Sequence, residues 1–194
     1  MQHLSLRAIN EEHASLSAVL HSIRMMLQRG PQGDRPAFFE VLSAMLFYID
    51  EVPEKQHHRK ESELLFPPIA QRSAHCAALI HQLDQEHAQG EMSVRELQHL
   101  LQAWQWLGDS RRAAFEKAAL AYLDFYRRHM HLEETVILPE ALKILSDEDW
   151  HLLDAAFASN SDPLSGSAPR DPVYECLFTT IATKAPAPIG LGQR

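Results

Sequence analysis

The chain has 194 residues, of which 45% are hydrophobic and 23% charged, enough to bury the core of one soluble domain. Its net charge of −8, with no run of Lys or Arg, argues against a nucleic-acid-binding surface. Its two cysteines, Cys76 and Cys176, include no C-x-x-C pair and give the pattern of neither a disulfide framework nor a thiolate metal site. No stretch of 18 apolar residues and no signal-peptide pattern occur, so we expect a cytoplasmic protein that does not enter a membrane.

Two long stretches in the first part of the chain carry apolar residues at helical spacing. The first covers residues 6–27 and should stop at Gly30-Pro31. The second covers residues 39–64 and should end at Pro67-Pro68. Pro53 lies inside it and should kink or restart the helix, because proline lacks a backbone donor and clashes with the preceding turn.

Two further long stretches follow in the second part. The third predicted helix begins after Ser73 as its N-cap, continues through Gly90 and ends near Gly108. The fourth ends at Pro139, and a short fifth begins at Ser146, which offers a cap and an acidic first turn. The pattern therefore predicts an all-α fold: an up-down-up-down four-helix bundle with a short fifth helix and a C-terminal tail.

The domain organisation is expected to be simple. Residues 1–158 form one bundle domain, and residues 159–194 form a tail rich in Ser, Asn, Asp, Gly and Pro. Within that tail, residues 173–182 have helical spacing and are candidates to pack back on the bundle.

Each of the four apolar seams contains one histidine where Leu or Ile would otherwise stand: His13, His57, His87 and His129. One such residue is most simply a hydrogen-bonded core histidine, but four of them require a common cause, since burying an imidazole costs desolvation. Glu61 and Glu133 follow two of these histidines by four residues, so each pair of side chains lies on one helix face. A buried carboxylate is costlier than a buried imidazole, and metal coordination is one of the few interactions that compensates it.

An internal repeat relates the two halves of the chain. In each half a Glu-His pair comes first, and a His-x-x-x-Glu motif and then a proline follow. The histidines of the two motifs are 44 residues apart in the first half and 42 in the second. Two helix pairs related by approximate two-fold symmetry would bring four histidines and two glutamates to one point, the layout of a dinuclear site. Imidazole nitrogens with two carboxylates able to bridge favour a hard cation pair such as iron, although another metal pair stays open.

These residues resemble the hemerythrin-like proteins, which contain the HHE cation-binding domain. The resemblance covers about residues 4–158 and rests on Glu12-His13, HHRKESELLFP at 57–67, Glu86-His87 and HMHLEETVILP at 129–139. It implies an up-down-up-down bundle with a non-haem di-iron centre bridged by the two glutamates and an oxo or hydroxo group. Members of this family bind oxygen, sense oxygen, iron or redox state, or handle peroxide and nitric oxide.

The sequence departs from the oxygen-carrying members in two places. Leu83 stands where they have a second histidine on the third helix. They also use an aspartate five residues after the last histidine, whereas here Glu133 lies at four and Glu134 at five. Glu133 is the predicted ligand because it matches Glu61 in the repeat, and the lost histidine puts reversible oxygen carriage in doubt.

Two neighbours of the predicted ligands have less certain roles. His58 lies about 100° around an α-helix from His57, which favours a position beside or outside the ligand shell. Whether His58 or Glu134 reaches the metals stays open. Tyr122, two turns before His129, is a candidate to shape the access of small molecules.

The leading functional hypothesis is a di-iron protein that binds, senses or reduces a small oxidant: oxygen, peroxide or nitric oxide. That ligand is the expected partner, and homodimer formation and catalytic turnover are left open. One alternative is a metal-dependent regulatory or interaction module without turnover, with Leu177, Phe178 and Ile181 as the surface that a partner contacts. A helical bundle without metal is the other.

Overall fold

A computed structural model of the chain describes residues 3–158, 162, 164 and 172–192. Within this part of the chain the fold is all-helical, as predicted, and has no named strand. The six helices are α1 (Leu4–Arg29), α2 (residues 35–72), α3 (Ala74–Leu107), α4 (residues 112–144), α5 (Asp147–Phe157) and α6 (Glu175–Lys184). Short 3-10 turns at Asp109–Arg111 and Pro172–Tyr174 precede α4 and α6. None of the described helices is both long and apolar enough to cross a membrane.

The first four helices contact one another in a closed order. Helix α1 packs against α2 and α4, and α3 packs against the same two helices from the other side. Helix α5 lies against α1, and α6 lies against α2. Side chains from all four long helices therefore meet in one interior.

Several predicted helix ends are confirmed. Helix α1 stops at Gly30, whose φ of 69° is easily reached only without a side chain. Helix α3 runs unbroken through Gly90 to Leu107. Helix α5 begins at Ser146 with a complete capping box. Ser73 does precede α3, but its hydroxyl donates to Glu140 Oε1 on α4 at 2.9 Å and makes no cap bond.

The helix ends predicted at Pro67-Pro68 and at Pro139 are wrong. Pro53 does not restart α2, and α2 and α4 do not end at Pro67-Pro68 and Pro139 but continue to Arg72 and Ile144. Each proline lies in or just after a π-helical segment: Asp50–His57, Glu61–Leu65 or Glu133–Ile137. In these wider turns a backbone N–H bonds to the carbonyl five residues back, as Phe66 N–H does to Glu61 and Leu138 N–H to Glu133. The helix continues past the proline although the missing donor leaves one carbonyl without a helix bond.

The core consists of two apolar clusters separated by a polar layer. One cluster is built around Phe39, Trp104 and Phe115, and the other around Phe66, Leu83 and Trp150. The predicted ligand histidines and glutamates are all buried, and none belongs to either cluster. Apolar packing on both sides therefore holds a charged layer away from water.

The C-terminal helix α6 completes the first cluster. Ile181 and Ala185 are fully buried in it, and Leu177 is partly buried against it. The apolar face that the sequence suggested as a partner surface is therefore largely used inside the chain. Both cysteines are free; Cys76 is buried and Cys176 is exposed.

Candidate metal centre

The six predicted ligands come together in the polar layer. Helix α1 supplies His13, α3 supplies His87, and α2 and α4 supply the pairs His57/Glu61 and His129/Glu133. Each residue is at most 7% exposed. Because each helix places its seam toward the common interior, residues far apart in sequence converge on one volume.

The histidines form two pairs through their Nε2 atoms. The Nε2 atoms of His13 and His57 are 3.2 Å apart, and those of His87 and His129 are 3.1 Å apart. Two nitrogens bound at right angles to one metal, at about 2.1 Å each, would be about 3 Å apart. Both pairs therefore have the spacing of adjacent ligands on a single metal ion.

The two glutamates connect the histidine pairs. Glu61 places Oε1 3.2 Å from His57 Nε2 and Oε2 3.6 Å from His87 Nε2. Glu133 places Oε2 3.4 Å from His13 Nε2 and Oε1 3.2 Å from His129 Nε2. Each carboxylate thus presents one oxygen to each pair, which is the arrangement of a bridging ligand.

Burying the carboxylates of Glu61 and Glu133 costs free energy that needs a compensating interaction. Both oxygens of Glu61 and both of Glu133 are buried without a hydrogen bond, although imidazole nitrogens lie at 3.2–3.6 Å. An uncompensated buried carboxylate is strongly unfavourable, and coordination of a cation is a common compensation. The donor set of imidazole nitrogens and carboxylate oxygens fits a pair of divalent or trivalent transition-metal ions.

The acidic residue before each unpaired histidine reaches across to the next helix. Glu12 on α1 contacts His57 Nδ1 at 2.5 Å, and Glu86 on α3 contacts His129 Nδ1 at 2.9 Å. A carboxylate at Nδ1 favours the tautomer that directs the Nε2 lone pair inward, and it also orients the ring. In each repeated Glu-His pair, the histidine faces the centre and the glutamate orients a histidine of the neighbouring helix.

The residue that follows Glu61 or Glu133 contacts the remaining histidine of each half. Glu134 Oε1 lies 3.0 Å from His13 Nδ1, and Ser62 Oγ lies 2.9 Å from His87 Nδ1. Glu134 therefore contacts a histidine rather than the centre itself. The exchange of Glu for Ser at this repeated position is the main break in the two-fold symmetry, since it gives one half of the centre an additional negative charge.

The electrostatics of the layer favour positive charge. Burial lowers the pKa of His57, but Glu61 and Glu12 outweigh it and hold that pKa well above its usual value. Burial opposes the charge of His129 in the same way, yet Glu133 and Glu86 raise its pKa to about 10. The carboxylates of this layer stabilise protons on the buried imidazoles, and bound cations would displace those protons.

A second buried cluster of polar side chains adjoins the centre; it consists of Glu54, His58, Tyr122 and Tyr126, and we call it the Glu54 cluster. Glu54 accepts hydrogen bonds from Tyr126 and, at 3.0 Å, from Tyr122, and Glu54 Oε2 lies 3.1 Å from His58 Nδ1. Burial raises the pKa of Glu54 to about 7, and burial and nearby imidazoles lower that of His58. His58 is 2% exposed, so a surface position is excluded.

A cavity of about 520 Å³ opens between α2 and α3 beside the centre. Glu54, His58, Ser62 and His87 are among the residues that line it. It therefore connects the surface with the His87/His129 half of the layer, and its volume suits small molecules.

Sequence reasoning identified the six central residues but assigned no role to Glu12, Glu86, Ser62 or Glu54. The repeat signalled Glu12 and Glu86, because an acidic residue precedes each unpaired histidine, and Glu54 was signalled by its position four residues before His58. A family model described as the hemerythrin HHE cation binding domain matches residues 4–141, a range that includes all of these positions. Comparison with curated proteins gives no match.

Proposed function

The chain belongs to the hemerythrin HHE cation-binding domain family, and from that premise we propose that it is a non-haem di-iron protein. The proposed ligands are His13, His57, Glu61, His87, His129 and Glu133. The observation that carries the proposal is the burial of four carboxylate oxygens without a hydrogen bond, midway between two histidine pairs.

In this proposal the two histidine pairs and the carboxylates of Glu61 and Glu133 would hold the two metals. Bound in this way, the metals would keep positions for an oxo or hydroxo group and for an external ligand. Bound iron would supply the coordination position and the electrons for a small oxidant. The chain's own residues orient the imidazoles through Glu12, Glu86, Glu134 and Ser62, and the two apolar clusters limit access to small molecules.

We propose oxygen, peroxide or nitric oxide as the ligand class, with sensing or reduction as the role. Leu83 is fully buried in the apolar cluster below the centre, so it supplies no donor where oxygen-carrying members have a fifth histidine. Four histidines and two carboxylates carry the same charge as a set with a fifth histidine, but they leave one more coordination position free for an external ligand. This supports a sensor or peroxide-handling role.

The proposal includes the up-down-up-down order of α1 to α4, a bundle domain over residues 1–158 and a cytoplasmic location. The closed order of helix contacts supports the bundle. The alternative of an interaction module is less well supported, because the face that includes Leu177 and Ile181 packs against the core.

Iron content tests the proposal directly. Protein produced with sufficient iron should contain about two irons per chain and show near-ultraviolet oxo-bridge bands that respond to peroxide or reductant. His57→Ala should lose most of this iron, because it removes one of the two histidines proposed to hold one of the metals. His99→Ala, at an exposed position of α3, is the matched control and should retain it. An iron-free, colourless wild-type protein would refute the proposal.

A further inference from the structure

The proposed metal ligands leave the Glu54 cluster without a role. Glu54 is a deeply buried carboxylate with three hydrogen-bonding neighbours, and none of them is a proposed ligand. A buried polar network whose groups are satisfied rigidifies the side chains that it joins. The side chain that it holds against the centre is His58.

The contact with Glu54 defines how His58 faces the centre. His58 Nδ1 lies 3.1 Å from Glu54 Oε2, the arrangement of an N–H donating to a carboxylate. A neutral imidazole has one proton, so its lone pair is then on Nε2. The ring lies between two others, nearly parallel to His87 at 4.3 Å and 14° and to Tyr126 at 5.5 Å and 11°.

His58 is close to the centre without being aimed as a ligand. One nitrogen each of His58, His87 and His129 lie within 4.8 Å of one another, so they could be read as three ligands of one ion. However, an imidazole binds metal in the plane of its ring. Two stacked, nearly parallel rings cannot direct their lone pairs to the same point. His58 therefore lies beside the coordination positions of this half of the centre.

The cavity between α2 and α3 leads to the same place. His58 and His87 both line it, together with Ser62. A small molecule that enters by this route meets His58 as it approaches the pair formed by His87 and His129.

Building on the proposed function, we propose that His58 Nε2 accepts a hydrogen bond from a protonated oxygen ligand that reaches the His87/His129 half through this cavity. The ligand class is water, hydroxide or hydrogen peroxide. Azide anion and nitric oxide have no hydrogen to donate, so they gain nothing from this contact. Glu54, Tyr122 and Tyr126 are positioning residues, because they keep the proton on Nδ1 and the acceptor on Nε2.

The test compares two ligands on the iron-loaded protein. His58→Phe keeps a ring between His87 and Tyr126 and removes both nitrogens, and His99→Phe is the control at an exposed position. Iron content is measured first, and optical titrations then give the half-saturating concentrations of hydrogen peroxide and azide. We expect unchanged iron, peroxide binding weakened about tenfold or more, and azide binding changed less than about threefold.

A second variant tests the direction of the hydrogen bond. In Glu54→Gln the amide oxygen accepts from the tyrosines while its NH₂ donates to His58 Nδ1, which transfers the imidazole proton to Nε2. The changed ring should then bind azide several-fold more tightly and peroxide more weakly. This reversal does not depend on whether His58→Phe folds.

Three results would overturn the inference. Loss of iron from His58→Phe would make His58 a ligand. Equal weakening of azide and peroxide would indicate a steric effect, and an unchanged peroxide titration would exclude the contact. Wild-type protein without iron would instead overturn the proposed function, so the two failures are distinguishable.

Discussion

Gly90→Ala should destabilise the protein although it places a better helix former inside a helix. Gly90 is buried in the middle of α3. A Cβ atom at this position would lie 1.9 Å from the Tyr126 hydroxyl oxygen and 2.9 Å from Glu54 Oε1. The tyrosine cannot retreat without losing its hydrogen bond to Glu54. The absence of a side chain is therefore what allows the Glu54 cluster to form.

The size of the effect follows from three contributions. Replacing glycine by alanine in a helix interior stabilises by about 1 kcal/mol. Overpacking costs about 1–3 kcal/mol, and loss of a buried hydrogen bond to a charged group costs about 1.5–3 kcal/mol. The net loss is about 1.5–5 kcal/mol, which lowers the melting temperature of a chain of this length by roughly 3–20 °C.

Urea unfolding of metal-free protein would measure this loss, with Tyr126→Phe and the double variant Gly90→Ala/Tyr126→Phe completing a cycle. Tyr126→Phe removes the oxygen atom that the new methyl group meets, so the double variant should be more stable than the sum of the single effects. We expect a coupling free energy of at least about 1 kcal/mol. A Gly90→Ala variant as stable as the wild type would refute the packing argument.

Two further predictions concern the metal centre and the cap of α5. Chelation should lower the melting temperature of wild-type protein, since metal at a thousandfold excess over its Kd stabilises by about 4 kcal/mol, but it should leave Glu61→Gln unchanged; equal responses would argue against Glu61 as a ligand. Arg72 and Ser146 hold the pKa of the Asp149 carboxyl below its usual value, so its stabilising effect is present at neutral pH and lost as pH falls through that pKa. Asp149→Asn should therefore lower the free energy of unfolding at pH 7 and change it little in strong acid. A difference from the wild type that stays constant with pH would contradict the assignment.

The six central residues could be predicted from the sequence because they lie on the apolar seams. A histidine or glutamate that replaces Leu or Ile at regular helical spacing must face the interior. The residues that orient them could not be found this way. Glu12 and Glu86 lie one position away from the seam, about 100° around the helix, and only the packing of neighbouring helices shows that this angle directs them to His57 and His129.

The misplaced helix ends at Pro67-Pro68 and Pro139, and the alternatives left open for His58, have one cause. The sequence was interpreted with an α-helical period throughout, and that period allows His58 a position at the surface as well as one beside the ligands. The structure is π-helical over Asp50–His57, and His57 and His58 are both buried. Pro53 was the available signal, since an unpaired carbonyl before a proline is one way in which a wider turn is tolerated.

The repeated proline also accounts for the wider turns that begin at Glu61 and Glu133. Each His-x-x-x-Glu motif is followed, six residues after the glutamate, by Pro67 or Pro139. The residue before each proline donates its backbone N–H to the carbonyl of Glu61 or Glu133, five positions back. Proline cannot form the four-residue bond that would restore the α pattern, so both wider turns begin at the glutamates. The same local distortion is therefore encoded twice, once at each glutamate that lies between the histidine pairs.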